Sequence, residues 1–243
     1  MSTANKALII GVGSVQGLGA SVARRFAREG LQVWVAGRTQ AKLEAVVAAI
    51  TAEGGTATAL LADATDEPQV AALFDAVMAA PGTLEVAVFN AGNNTPGKII
   101  DMDAAYFERA WRIICFGGFL FGREAARRML PTGGTLIFTG ASASLRGRAG
   151  FGAFNAGKGA LRLMAQALAK EVGPQGLHVA HVVVDGGIDG EALRSRGAEL
   201  LKQIGEDRLM DRESIADAFW FLHRQGSRAW SFELDLRSKI EPW

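Results

Sequence analysis

The residues best placed to do chemistry sit in a glycine-rich turn near the start of the chain. After the apolar run 7–10 the sequence reads Gly11-Val12-Gly13-Ser14-Val15-Gln16-Gly17-Leu18-Gly19, which sets Gly13, Gly17 and Gly19 at a G-x-x-x-G-x-G spacing. Glycines so placed let the backbone turn tightly and approach a pyrophosphate at a helix N-terminus, where unpaired N–H groups and the helix dipole favour negative charge. The G-x-G-x-x-G spacing is not met, because Gln16 falls where its third glycine should be. A glycine-rich turn between a strand and a helix is often only a turn; after the first strand of an alternating chain it favours dinucleotide binding. Roughly 20 residues further on, where a carboxylate would hold the adenosine ribose, the chain reads Ala36-Gly37-Arg38-Thr39. A guanidinium is permanently charged and presents a planar fork of donors, so Arg38 suits a 2′-phosphate and favours NADP over NAD. The plainer alternative is an exposed arginine at a strand end, stacking on the adenine at most.

The elements that must carry these groups are legible from the apolar rhythm. Short runs at 7–10, 33–36, 58–61, 86–89, 135–138 and 179–184 read as buried strands. Between them Leu18, Val22 and Phe26, then Leu43, Val46, Val47 and Ile50, then Val70, Leu73, Phe74 and Val77 recur at helical spacing, and two further helices end near Leu130 and Val172. Near-continuous apolar strands alternating with amphipathic helices predict an α/β, doubly wound, Rossmann-type parallel sheet covered on both faces, with ligands at the carboxyl ends of its strands. The 243 residues, 49% hydrophobic with 30 glycines, suit a single domain over 1–243. Residues 188–210 break the rhythm and are expected to form a substrate lid or an ordinary surface helix pair.

Charge and cysteine usage narrow the partners. A net charge of +1 with scattered Lys and Arg gives no general attraction to nucleic acid or to acidic membranes. No apolar run approaches the roughly 20 residues of a membrane span, and the first residues lack the pattern of a signal peptide. The single cysteine, Cys115, lies among Ile113, Ile114 and Phe116, as a buried thiol would. A soluble cytoplasmic protein with a small-molecule substrate is expected.

Several spaced motifs together resemble the short-chain dehydrogenase/reductase family over essentially the whole chain. Besides the glycine loop with Leu18, there is Asp63-Ala64 after the third strand, where the family holds the adenine, and Asn90-Ala91-Gly92 after the fourth, similar to its Asn-Ala-Gly turn. The resemblance implies a homodimer or homotetramer built on the two long helices flanking the fifth strand. Gly117, Gly118 and Gly122 would let such helices approach one another, or would pack against the sheet. It also implies a catalytic Asn, Ser, Tyr and Lys, in which the Tyr moves a proton to or from the substrate oxygen and the Lys holds the nicotinamide ribose. Counting from Lys158, the Tyr position is Phe154, the Ser position Ala141, with Ser142 one residue off, and the Asn position Ile114. The Pro-Gly after the sixth strand is replaced by Val184-Asp185-Gly186-Gly187-Ile188, with Ile188 in the segment that would meet the nicotinamide carboxamide.

A phenyl ring keeps the shape of a tyrosine and cannot give up a proton, so another group is needed for carbonyl reduction. Asp185 just beyond the sixth strand and Ser142 are the first candidates, although turn aspartates and loop hydroxyls often only bond to backbone. His181 has the right chemistry for neutral pH but lies inside a strand, where a lone histidine is usually core. Tyr106 is far off in sequence. Arg146 and Arg148 would grip an anionic substrate or be solvated, and Phe151, Phe154 and Trp111 would line an apolar pocket or the core. Three functions follow: an NADP-dependent oxidoreductase on a small carbonyl or alcohol with an atypical proton donor, a catalytically silent NADP-binding sensor or partner subunit, or a non-redox lyase or dehydratase on the same fold.

Overall fold

The computed structural model describes residues 4–92 and 94–241. Seven strands form one parallel sheet in the order β3-β2-β1-β4-β5-β6-β7: β1 (Lys6–Ile10), β2 (Gln32–Gly37), β3 (Thr56–Leu61), β4 (Leu84–Phe89), β5 (Gly134–Thr139), β6 (Leu177–Asp185) and β7 (Glu233–Arg237). The expected doubly wound fold is present, and each expected strand is one to three residues longer than its apolar run. The seventh was missed because Glu-Leu-Asp-Leu-Arg alternates polar and apolar residues on a half-exposed edge strand.

Helices α1 (Leu18–Arg28), α2 (Gln40–Ala52), α3 (Glu67–Ala79), α4 (Ala104–Trp111), α5 (Gly117–Met129) and α6 (Gly152–Val172) connect the strands. Two short helices, α7 (Glu191–Arg194) and α8 (Ala198–Ile204), precede α9 (Arg212–His223). Two apolar cores result, one per sheet face. Phe26, Leu43, Ile50 and Phe219 fill one; Phe74, Phe121, Phe138 and Leu161 fill the other. Asp66, Asp103 and Asp211 cap α3, α4 and α9, each accepting a backbone N–H from three residues ahead. Gly118 and Gly122 pack inside the protomer: a methyl group on Gly118 would lie 2.3 Å from Leu161, and one on Gly122 2.8 Å from the Phe138 ring.

Two features shape the crevice at the carboxyl ends of the strands. Between α4 and α5 the helix widens into a π turn over Arg112–Phe116, a geometry that often marks functional positions. The segment 188–210 is a helical excursion closed at its base, where the backbone of Met210 donates to Gly187 and accepts from Asp189.

Candidate active site

The strand order reverses at β1, whose neighbours are β2 and β4, and the glycine loop leaves β1 at that switch point. Gly17 precedes α1 with no side-chain cap, and the first turn of α1 carries no acidic residue, so its leading N–H groups stay open to an anion. Gly13 faces open space, whereas a methyl group on Gly19 would lie 3.0 Å from the Gly11 carbonyl oxygen and 3.0 Å from the Asn90 amide nitrogen. Gly19 therefore serves close packing and Gly13 leaves room for a ligand. Arg38, exposed just past β2, forms no hydrogen bond or ion pair with the described residues. The uncapped helix, the open glycine and the unpaired guanidinium fit an anionic dinucleotide with an extra phosphate.

Asp63 is partly engaged already, since its Oδ1 accepts from the Thr65 N–H and hydroxyl at 2.8 Å each. Ala64 is buried beside Gly117, where a methyl group would lie 3.0 Å from the Ala64 carbonyl oxygen. The Asn90 side chain donates to the Gly11 carbonyl (3.1 Å) and accepts from the Thr139 hydroxyl (3.0 Å), joining the ends of β1, β4 and β5. Ala91 and Gly92 follow it toward the reaction side of the crevice.

There Lys158 projects from α6. It is 5% exposed, its Nζ donates to the Thr139 carbonyl at 2.6 Å, and it lies 5.9 Å from the centre of the Phe154 ring. Burial alone pushes its pKa down to about 8. A methyl group on Gly92 would sit 3.6 Å from that nitrogen, so the Asn-Ala-Gly turn and Lys158 face one another. Ile114, in the π turn, is fully buried and rests against Gly157 and Gly92. The backbone widening is thus present at the Asn position while the side chain is aliphatic. Thr139 holds both Lys158 and Asn90 and was missed in the sequence; its signal was a hydroxyl at the carboxyl end of the Gly-Thr-Leu-Ile-Phe-Thr strand, where ligands of this fold bind.

The other candidates separate clearly. Asp185, expected as a substitute proton donor, is 2% exposed and ion-paired with Arg146 (3.0 Å) and Arg237 (3.4 Å), so its carboxyl faces two guanidiniums. Arg146, expected to be solvated or to grip substrate, is its partner. The half-buried Ser142 hydroxyl bonds to nothing among the described residues, in a short turn beside Ala141. His181 is fully buried; its Nδ1 meets Glu233 at 3.0 Å and its ring lies against Gly140. Burial drives its pKa down to about 4, so it is a neutral core residue. The Tyr106 hydroxyl donates to the Pro96 carbonyl, and Trp111 stacks on Phe116 at the surface instead of lining the crevice. Ile188 packs against the core beside Met210, at the base of the helical excursion.

Comparison with known proteins matches this architecture. Residues 11–231 fit the family model described as Enoyl-(Acyl carrier protein) reductase. The chain is similar to the cyclic-di-GMP-binding biofilm dispersal mediator protein of Escherichia coli (34% identity, covering 76% of this chain and 75% of that protein). It is likewise similar to versicolorin reductase 1 of Dothistroma septosporum (30% identity, 86% and 78%). Among solved structures, a short-chain dehydrogenase from Rhodopseudomonas palustris superposes with a TM-score of 0.82 at 37% identity, over 97% of this chain and 99% of that one. The chain belongs to the short-chain dehydrogenase/reductase family, a family of oxidoreductases.

Proposed function

We propose that this protein is an NADP-dependent oxidoreductase that interconverts a small carbonyl compound and its alcohol. The observation that carries the cofactor assignment is the unpaired guanidinium of Arg38 beside an uncapped α1 and an open Gly13. Gly13, Gly17, Leu18 and Gly19 would meet the pyrophosphate, and Arg38 the 2′-phosphate. Asp63 and Ala64 would meet the adenine, Asn90, Ala91 and Gly92 the central ribose region, Lys158 the nicotinamide ribose and Ile188 the carboxamide. When bound, the nicotinamide supplies or accepts the hydride; positioning, exclusion of water and movement of the proton fall to the protein. Residues 188–210 act as a lid over the crevice: the Glu191 N–H already donates to the Gln16 carbonyl of the glycine loop (3.2 Å). A second copy of the chain covers the aromatic face that α4, α5 and α6 leave exposed at Phe107, Trp111, Phe119 and Leu163.

A second reading is supported by the loss of three polar groups at Ile114, Ala141 and Phe154, and by a relative named for binding cyclic-di-GMP: a cofactor-binding protein without turnover. Calorimetry and hydride-transfer assays separate the two. Arg38→Asp is expected to weaken NADPH binding by about tenfold or more while NADH is unharmed or improved, because a charge-assisted donor becomes a ribose acceptor. Equal losses for both cofactors would remove the 2′-phosphate assignment. NADPH binding without oxidation by any ketone or quinone supports the silent binder, and turnover without net cofactor oxidation supports a lyase or dehydratase.

A further inference from the structure

Resting on the oxidoreductase reading, we infer that Lys158 itself is the proton donor to the substrate oxygen, taking over the work of the absent tyrosine. An ammonium carries three N–H bonds. One goes to the Thr139 carbonyl, and the other two find no acceptor among the described residues. Among the described residues no carboxylate is paired with it, and Ile114, the Phe154 ring and the Gly92 backbone lie near it. A buried cation with two unused donors beside the Asn-Ala-Gly turn is free to serve a ribose oxygen with one and a substrate oxygen with the other. The alternatives are engaged or unsuited: Asp185 by two arginines, Tyr106 by Pro96, and His181 by Glu233 on one nitrogen and Gly140 against its ring. Ser142 is an unactivated alcohol far too weak an acid at neutral pH.

Carbonyl reduction adds a hydride to carbon, and the C=O π pair moves to oxygen. In this scheme the oxygen takes its proton from Nζ: the N–H bond breaks, the O–H bond forms, and the electron pair stays on nitrogen. Lys158 is left as a neutral amine, which recovers its proton from water once the alcohol has left. With a pKa of about 8 the ammonium is populated at neutral pH yet acidic enough to give its proton up, which an ordinary lysine is not. The groups around it titrate elsewhere. His181 on β6 is pushed down to about 4 by burial, Glu233 on β7 is held low by the hydrogen bonds from Arg162, and Arg162 on α6 is raised by them. The Cys115 thiol, next to Ile114, is pushed up by burial.

The test combines a direct titration with two variants. Lysine ¹³Cε resonances of the protein without cofactor should include one, missing in Lys158→Arg, that titrates near 8 and apart from the solvent-exposed lysines. Wild-type reduction of a panel of small ketones and quinones by NADPH should fall tenfold per pH unit above that value. Lys158→Arg, which keeps the charge and cannot release a proton, should bind NADPH within a few-fold of wild type by calorimetry, lose about 10²- to 10⁴-fold in turnover, and show no such limb. Lys158→Ala, which needs no room for a larger head group, should regain turnover when propylamine is added. A Lys158 titration above 10, turnover in Lys158→Arg within threefold of wild type, or no amine rescue of a folded Lys158→Ala each overturns the proposal. Tight NADPH binding by wild type with no turnover on the panel also overturns it and leaves the cofactor assignment standing, whereas absence of NADPH binding overturns the reading beneath it.

Discussion

Replacing tyrosine by phenylalanine at residue 154 removes one oxygen and leaves the ring in place. The ring lies in partial burial against the second apolar core, with its centre 5.9 Å from the Lys158 ammonium. A hydroxyl restored there gains a cation nearby, which lowers its pKa and makes it a competent acid. Phe154→Tyr is therefore expected to raise carbonyl reduction by about 10- to 100-fold, short of a full general-acid contribution because Ala141 and Ile114 still lack polar side chains. Phe154→Tyr with Ala141→Ser should exceed the product of the single effects, since groups that act as a unit are non-additive. Steady-state rates with NADPH decide this, and unchanged rates in both variants with cofactor binding intact would mean that residue 154 does not face the nicotinamide. The sequence made Lys158 and Phe154 legible through their spacing. It hid the fate of Asp185, because ion pairs with Arg146 and Arg237 join residues 39 and 52 positions away through the tertiary fold.

At the scale of elements, the helices around the site are fastened by charges as well as by apolar contact. Glu124 on α5 is nearly buried and receives Arg123, Arg127 and Arg128, while Arg128 also reaches Asp75 and Arg123 reaches Glu67, both on α3. Burial on its own would push the Glu124 carboxyl up; the hydrogen bond and charge of Arg128, with those of Arg123, outweigh it and hold the pKa below its ordinary value. A carboxylate depressed by folding stabilises fully above its unfolded pKa, and that stability is lost as the pH falls through the folded value. Glu124→Gln should thus cost about 2 kcal/mol at pH 7, discounted for the exposed arginines, and progressively less at the lowest pH at which the protein stays folded, as the pH falls through the depressed folded pKa. Urea midpoints at the two pH values check it; an equal cost at both would make the effect one of shape and not charge. Apolar periodicity revealed α3 and α5 but not this clasp, nor the π turn at Arg112–Phe116, since one extra residue per turn leaves no mark on a short apolar stretch.

For the molecule as a whole, the parallel order of the sheet was legible because strands buried on both faces leave continuous apolar runs, and β7 was not, because it alternates charged and apolar residues on a partly exposed edge. The same deep burial controls its response to acid. His178, His181 and His223 all lie in the packed interior, and burial lowers the pKa of each, His181 and His223 to about 4. The neutral ring is the form that folds. Above pH 6.5 the folded and unfolded states are both neutral at these sites and the full stability is present. Between about 6.5 and about 4 only the unfolded chain takes up protons, and stability falls with pH. His223 offers the measurement: its ring packs against Phe26 and Trp220, with Nδ1 3.2 Å from the Thr135 hydroxyl and Nε2 3.8 Å from the Glu85 carboxylate. Its shift corresponds to as much as about 3 kcal/mol of stability lost across that window. His223→Phe keeps the aromatic contacts and removes the titration, so it should be less stable than wild type at pH 7.5 by about 1 kcal/mol for the abandoned Thr135 hydroxyl. By pH 4.5 it should have overtaken wild type. Thermal or urea unfolding of both proteins at the two pH values reads the crossing directly, and a difference that stays constant between them would mean that His223 titrates in the folded protein as it does in the unfolded chain.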